Sequence, residues 1–144
     1  MVNGFVVSRP TSSIVRCCAC EALQEYCLYE TFVGRCWRGE VIVMQSALWG
    51  RMKSGRCLQL SANFLKMHGN DPMFIGCFQD VLPLADSKCS GRPECSILIS
   101  DPSFNNTKPC YADLKMYFEA SYQCVRGRLL RFNKSQRITF FKVL

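Results

Sequence analysis

The sequence lacks long apolar runs, a second histidine and the common catalytic motifs, and each absence narrows the possible functions. No stretch approaches the roughly 18–20 apolar residues that a membrane-spanning helix needs. His68 is the only histidine, and no motif flanks it that would make it the base of a catalytic cysteine or serine. No G-x-S-x-G, Walker A or G-x-G-x-x-G sequence occurs. We therefore expect a protein that is not an enzyme and has no cofactor.

Nucleic-acid modules are missing as well. The net charge of +7 would suit a polyanion, but the chain has neither an aromatic-basic RNP-like motif nor a zinc finger. We therefore expect no nucleic-acid partner. The charge is concentrated in a tail over residues 126–144, which has no acidic residue. This tail is either a solvated extension or an arm that binds a polyanion.

The sequence is rich in cysteine: 11 in 144 residues. That density indicates a disulfide framework, a metal site or both, and an odd number leaves at least one thiol without an intramolecular partner. Cys17 and Cys20 form a C-x-x-C pair, which Cys27 and Cys36 could complete as a zinc set. The spacing matches no zinc family, so we expect disulfides and no metal.

The cysteine pattern predicts an extracellular or cell-surface location. Asn105 and Asn133 begin Asn-x-Ser/Thr sequons and are candidate glycosylation sites. Residues 1–16 are expected to form a disordered leader. No signal peptide is visible there, which suggests that the sequence is a piece of a longer protein or begins at an alternative start.

The 49% of hydrophobic residues suffices for a single domain with a packed core. Residues 41–44 are typical of a buried strand that continues through residue 49, and residues 96–100 are typical of a short strand. Strict alternation over residues 114–122 predicts a strand with one buried face. Residues 78–88 suit a short helix, with Asp80 as cap and a proline in the first turn. We expect a mostly β fold: a compact, disulfide-crosslinked antiparallel β-sandwich with one or two short helices.

Four local motifs support a specific resemblance. They are VIVMQSALWGR at residues 41–51, CSGRPEC at 89–95, KPC at 108–110 and YFEASYQC at 117–124. Together with eight cysteines in order, they resemble the galactose- or rhamnose-binding lectin domain of the sea-urchin-egg-lectin (SUEL) type, which also occurs in latrophilins. The resemblance places a SUEL-type domain at residues 17–125 and leaves residues 126–144 as a basic tail.

The resemblance implies a disulfide framework of eight cysteines. The implied pairs are Cys27–Cys57, Cys36–Cys124, Cys77–Cys110 and Cys89–Cys95. The first position stays open, because Cys20 has the neighbours of the family's first cysteine, whereas Cys27 has the better distance to the second. Trp37, which follows a framework cysteine, is expected to lie in the core.

The resemblance also implies a shallow sugar pocket. The matching positions are Glu21, Trp49, Arg51 and Lys108, where Glu21 applies if Cys20 is the first framework cysteine and is replaced by Leu28 if Cys27 is. Leu48 stands where the family has Asn, and Lys108 where it has Asp, so the pocket is divergent. The implied function is an extracellular, non-catalytic carbohydrate-binding domain, whose partners are cell-surface glycans or glycoproteins.

The alternative is a protein–protein adhesion module of a receptor ectodomain that has lost monosaccharide binding. In either case the domain would meet a membrane only through a parent receptor.

Overall fold

The computed structural model describes residues 22–127. The predicted leader and nearly all of the predicted tail therefore lie outside the described residues. The elements in chain order are β1 (Gln24–Tyr26), β2 (Thr31–Arg35), β3 (Glu40–Arg51), α1 (Ala62–His68), β4 (Cys77–Asp80), α2 (Leu82–Cys89), β5 (Glu94–Leu98), α3 (Pro102–Asn105) and β6 (Tyr117–Arg126). No helix in residues 22–127 is long and apolar enough to cross a membrane.

The strands form two antiparallel sheets. One sheet has four strands in the order β1-β6-β3-β4, and the other pairs β2 with β5. The core lies between them: Phe32 of the small sheet meets Phe118 of the large sheet edge-on at 6.0 Å, and Tyr122 at 5.7 Å. This architecture confirms the mostly β, antiparallel expectation.

The longest strand, β3, confirms the strand predicted at residues 41–49. Its run of β-branched residues favours extended backbone, and it pairs with β6 along most of its length and with β4 at its end. The register shifts between Met44 and Ser46, so one extra residue bulges from β3. Near its end, a Cβ on Gly50 would lie 2.3 Å from the carbonyl oxygen of Cys77. Only glycine permits this close approach of β4.

The helix predicted at residues 78–88 is wrong in its first turn. Residues 77–80 form β4, which pairs with the end of β3, and the helix begins only at Leu82. Asp80 still stabilises the helix start, because its Oδ1 accepts a hydrogen bond from the Leu82 N–H at 2.8 Å. With α1 and α3, the described chain has three short helices, one more than the upper number expected.

The alternation over residues 114–122 predicts only one face of β6 correctly. Phe118 is buried between the sheets as expected, but Tyr117 and Glu119 on the opposite face are buried as well. The loop that follows β3 covers this second face, and its Lys53 N–H donates to the Tyr117 hydroxyl at 3.1 Å. A strand between two others that is also covered by a loop loses its exposed face.

Candidate functional site

Four disulfides hold the domain together. The bonded pairs are Cys27–Cys57, Cys36–Cys124, Cys77–Cys110 and Cys89–Cys95. These are the pairs that the resemblance implies. Cys36–Cys124 and Cys77–Cys110 attach neighbouring chain segments to β6 and β4 of the large sheet, Cys27–Cys57 joins two loops, and Cys89–Cys95 joins α2 to β5.

The bond from Cys27 to Cys57 settles which described cysteine occupies the first framework position. Cys27 is not spare, and the residue that follows it is Leu28 rather than an acid. Glu21, the acidic candidate of the sugar pocket, lies outside the described residues. Cys27 and Cys36 are in different disulfides, so neither can complete a zinc set. Glu30 lies beside the Cys27 and Cys57 sulfurs, but these are bonded to each other and offer no thiolate.

Trp49 lies in the core and not in a pocket. Its side chain is fully buried and stacks on Phe104, with ring centroids 5.7 Å apart. Its indole nitrogen has no hydrogen-bond partner within residues 22–127. A ring in this position cannot cover the face of a sugar, so Trp49 leaves the set of candidate sugar contacts.

Arg51 is buried too, and its guanidinium is occupied by the protein. Its Nε donates to the carbonyl of Phe74 at 2.6 Å and its Nη1 to the carbonyl of Lys115 at 2.7 Å. The guanidinium carbon also lies 4.7 Å from the centre of the Phe74 ring. Burial lowers the pKa of Arg51 from its usual value. These contacts join two loops and give Arg51 a structural role.

Lys108 and Asn105 are exposed in the same short stretch of chain. Asn105 ends α3, and its carbonyl accepts from the Lys108 N–H at 3.3 Å. Lys108 has a φ of 45°, in the left-handed region. Leu48 is half-buried on β3. Of the described sugar-pocket candidates, only Lys108 presents its side chain to solvent. The second glycosylation candidate, Asn133, lies outside the described residues.

The described residues form a concavity on a different surface. It is a shallow, open cleft of about 550 Å³, which we call the Glu119 cleft. Its lining residues are Leu23, Gln24, Glu25, Lys53, Arg56 and Glu119. They come from β1 and the residue before it, from the loop after β3, and from β6.

Glu119 forms the buried wall of the Glu119 cleft. Only 5% of the residue is exposed, and its Oε2 has no hydrogen-bond partner in the described chain. The Nζ of Lys53 lies 3.8 Å from that oxygen, which makes an ion pair too long for a hydrogen bond. A buried carboxylate oxygen in this state carries an unmet demand for a donor.

Glu25 lies directly opposite Glu119, because the two residues are register partners across β1 and β6. Its carboxylate has backbone partners: Oε2 accepts from the N–H of Arg56 at 2.9 Å and of Cys57 at 3.4 Å. The carboxylate also packs tightly on Gly55, where a Cβ would come within 2.5 Å of Oε1. Glu25 therefore holds the loop, and Glu119 is the acid without a hydrogen-bonded partner.

A fork-shaped ion pair fixes the rim of the cleft. Arg56 donates from Nη1 and Nη2 to the two oxygens of Glu30, each at 2.7 Å. These hydrogen bonds, with a further one from the Cys27 N–H, lower the pKa of Glu30 to about 2. Beneath the loop, burial raises the pKa of the Tyr117 phenol. The walls of the cleft are therefore held before any ligand arrives.

Sequence reasoning missed this cleft. The alternation over residues 114–122 puts Glu119 on the face opposite Phe118, and no motif marks Glu25 or Lys53. The only local sign is an acid between the apolar residues Phe118 and Ala120 of β6. The juxtaposition arises from the β1–β6 register and from the loop that the Cys27–Cys57 bond anchors, and neither can be read from spacing.

Comparison with known proteins gives a partial likeness. No family model matches the chain. Latrophilin Cirl from Drosophila persimilis, from Drosophila pseudoobscura pseudoobscura and from Drosophila mojavensis is in each case 33% identical over 91 residues, or 62% of this chain. The chain spans 5% of the length of these relatives. The likeness and the four disulfides indicate an extracellular domain related to a latrophilin region.

Proposed function

We propose that this chain is a non-catalytic, SUEL-type recognition domain of a cell-surface protein and that it binds carbohydrate in the Glu119 cleft. The observation that carries the proposal is the buried Oε2 of Glu119, which has no hydrogen-bonded donor yet borders an open, polar surface. A sugar hydroxyl would supply that donor.

The balance of charges in the cleft favours a neutral ligand. Two carboxylates, Glu25 and Glu119, face two cations, Lys53 and Arg56, so neither an anion nor a cation gains from the site as a whole. Such a site alternates acceptors and donors, which suits neighbouring hydroxyl groups that both donate and accept. The exposed side chain of Leu23 offers an apolar surface to the C–H face of a sugar ring.

Lys53 would act as the movable member of the site. Its side chain is 63% exposed, whereas that of Glu119 is 6% exposed, so the ammonium marks the solvent side of the carboxylate. Rotation of Lys53 would open Glu119 to a ligand hydroxyl and turn the ammonium towards a ligand oxygen. The 3.8 Å contact has no hydrogen bond to break, and the ligand hydroxyl would replace the ammonium as the partner of the buried carboxylate.

The arrangement of the acids supports binding without hydrolysis. Cleavage of a glycosidic bond usually needs two carboxyl groups that are both available to the substrate. Glu25 is committed to the N–H groups of Arg56 and Cys57, which leaves Glu119 alone. This supports sugar binding rather than glycoside hydrolysis in the Glu119 cleft.

The test is titration of the folded full chain with galactose and rhamnose by calorimetry. Glu119→Gln keeps the shape of the side chain and removes its charge, and we expect it to weaken sugar binding by about tenfold or more, since it alters a buried charged acceptor. Glu94→Gln, on an exposed ion pair with Arg35, is the matched control and should bind as the wild type does. Sugar binding that Glu119→Gln leaves unchanged would refute the site.

A protein–protein adhesion module is the second candidate. It is favoured by the burial of Trp49 and Arg51, which removes two implied sugar contacts, and by the likeness to latrophilin Cirl. Cells that bind the domain would be treated with glycosidases and, separately, with a protease. Binding that survives the first treatment and is lost in the second would support adhesion through protein.

A further inference from the structure

Trp37 is exposed on a fixed turn, contrary to the sequence expectation of a core residue. The side chain is 84% exposed. The backbone around it is held: the Trp37 carbonyl accepts from the Glu40 N–H at 3.0 Å, and the Trp37 N–H donates to Oε2 of Glu40 at 3.3 Å. The neighbouring Cys36 is anchored to β6 by its disulfide. A large aromatic ring held in water on a rigid turn is typical of a binding contact.

Three arginines lie at the same end of the fold. Arg38 is next to Trp37 in the turn, and Arg126 is the register partner of Glu40 at the end of β6. Arg92 lies in the loop before β5. This loop packs beside the Trp37 turn, because the Arg92 carbonyl accepts from the Ile42 N–H at 2.8 Å and the next carbonyl accepts from the Cys36 N–H at 2.9 Å. All three arginines are exposed. We call Trp37, Arg38, Arg92 and Arg126 the Trp37 surface.

The Trp37 surface carries a local excess of positive charge. Its two nearby acids are engaged, since Glu94 pairs with Arg35 at 3.0 Å and Glu40 accepts from the Trp37 N–H. Within residues 22–127, none of the arginines of the Trp37 surface forms an ion pair. Those residues contain 11 Lys and Arg against 10 Asp and Glu, so the excess is a feature of this end and not of the whole domain.

We propose that the Trp37 surface binds a sulfated glycan. Guanidinium groups donate planar pairs of hydrogen bonds to sulfate oxygens, and an exposed indole offers an apolar face to a pyranose ring. The four disulfides indicate an extracellular location, where sulfated glycans rather than nucleic acids supply polyanions.

The sequence that follows Arg126 is also basic. After Arg126 the chain continues to residue 144 without an acid. The cations of that segment are Arg128, Arg131, Lys134, Arg137 and Lys142.

The Trp37 surface is separate from the Glu119 cleft. Residue 40 begins β3 and residue 126 ends β6, whereas the cleft uses the loop after β3 and the first half of β6. The two surfaces thus lie at opposite ends of the same long strand pair. The proposal does not depend on sugar binding in the cleft, and variants of one surface should leave the other unaffected.

The test measures binding of a fluorescent heparin octasaccharide to the full chain at several salt concentrations. Arg38→Gln combined with Arg92→Gln should weaken binding about tenfold and lower its salt dependence. The control is Lys66→Gln combined with Lys115→Gln, which removes the same charge from exposed positions elsewhere and should weaken binding much less. Trp37→Ala should weaken binding without changing the salt dependence, because the indole carries no charge.

Several results would overturn the proposal. Equal losses from the arginine pair and the lysine pair would mean that only net charge matters. Wild-type binding by the double arginine variant and by Trp37→Ala would mean that the glycan binds elsewhere. Equal binding of a fully desulfated octasaccharide would exclude recognition of sulfate. Glu119→Gln should bind the heparin octasaccharide normally, so failure of the cleft and failure of the Trp37 surface are distinguishable.

Discussion

Replacement of Arg51 by lysine tests whether this arginine serves the fold or a ligand. Arg51 is 3% exposed, and its guanidinium donates to two carbonyls from different loops. A lysine ammonium has no planar fork, so it cannot reach both carbonyls in the same geometry. At least one charge-assisted hydrogen bond is lost, and a buried carbonyl is left without a partner.

The expected loss of stability follows from these contacts. A hydrogen bond from a charged group contributes about 1.5–3 kcal/mol, and a buried acceptor left unpaired costs a similar amount. We therefore expect Arg51→Lys to lower the free energy of unfolding by about 3 kcal/mol. For a domain of this size, that corresponds to a fall in Tm of roughly 10 °C.

The assay is chemical denaturation under non-reducing conditions, so that the disulfides stay intact in both states. Arg92→Lys, at an exposed arginine without an ion pair in the described chain, is the control and should match the wild type. An Arg51→Lys protein that keeps its stability but loses sugar binding would contradict a structural role for Arg51. That result would return Arg51 to the binding site that the family resemblance implies.

Two further predictions concern acid stability and the disulfides. The folded pKa of Glu30 is about 2, below its usual 4.5. The ionised carboxylate therefore stabilises the fold fully above pH 4.5, and this stabilisation is lost as the pH falls towards 2. Between pH 4.5 and pH 2, the Tm of Glu30→Gln should fall less than the Tm of the wild type. The Cys36–Cys124 bond spans 88 residues and the Cys89–Cys95 bond spans 6, so replacing the first pair by alanine should cost about 4–5 kcal/mol and the second about 2 kcal/mol. Equal losses in denaturant titrations would contradict the loop-closure argument.

The sequence was informative where the signal is local. Three consecutive β-branched residues at 41–43 favour extended backbone, and residues 41–49 lie within β3 as predicted. The helix prediction over residues 78–88 failed in its first turn because β4 is fixed by pairing with the distant end of β3. Phe78 lies there with half of its side chain exposed, so its apolar character was a misleading guide to a helical core face.

The Glu119 cleft could not be predicted, because three separated parts of the chain build it. Glu25 meets Glu119 only through the register of β1 on β6, and Lys53 reaches them only because a disulfide anchors its loop. Trp37 was misplaced for a related reason. Its neighbour in the chain is a framework cysteine, but the turn directs the indole away from the core.

The most direct test of the central claim is an NMR titration of the isotope-labelled full chain with galactose and rhamnose. If the Glu119 cleft binds sugar, amide shift changes should concentrate at residues 23–25, 53, 56 and 119, which line it, and Glu119→Gln should require about tenfold more sugar or more to produce them. Shift changes that concentrate instead around Lys108, or the absence of any change in folded protein at saturating sugar, would contradict it.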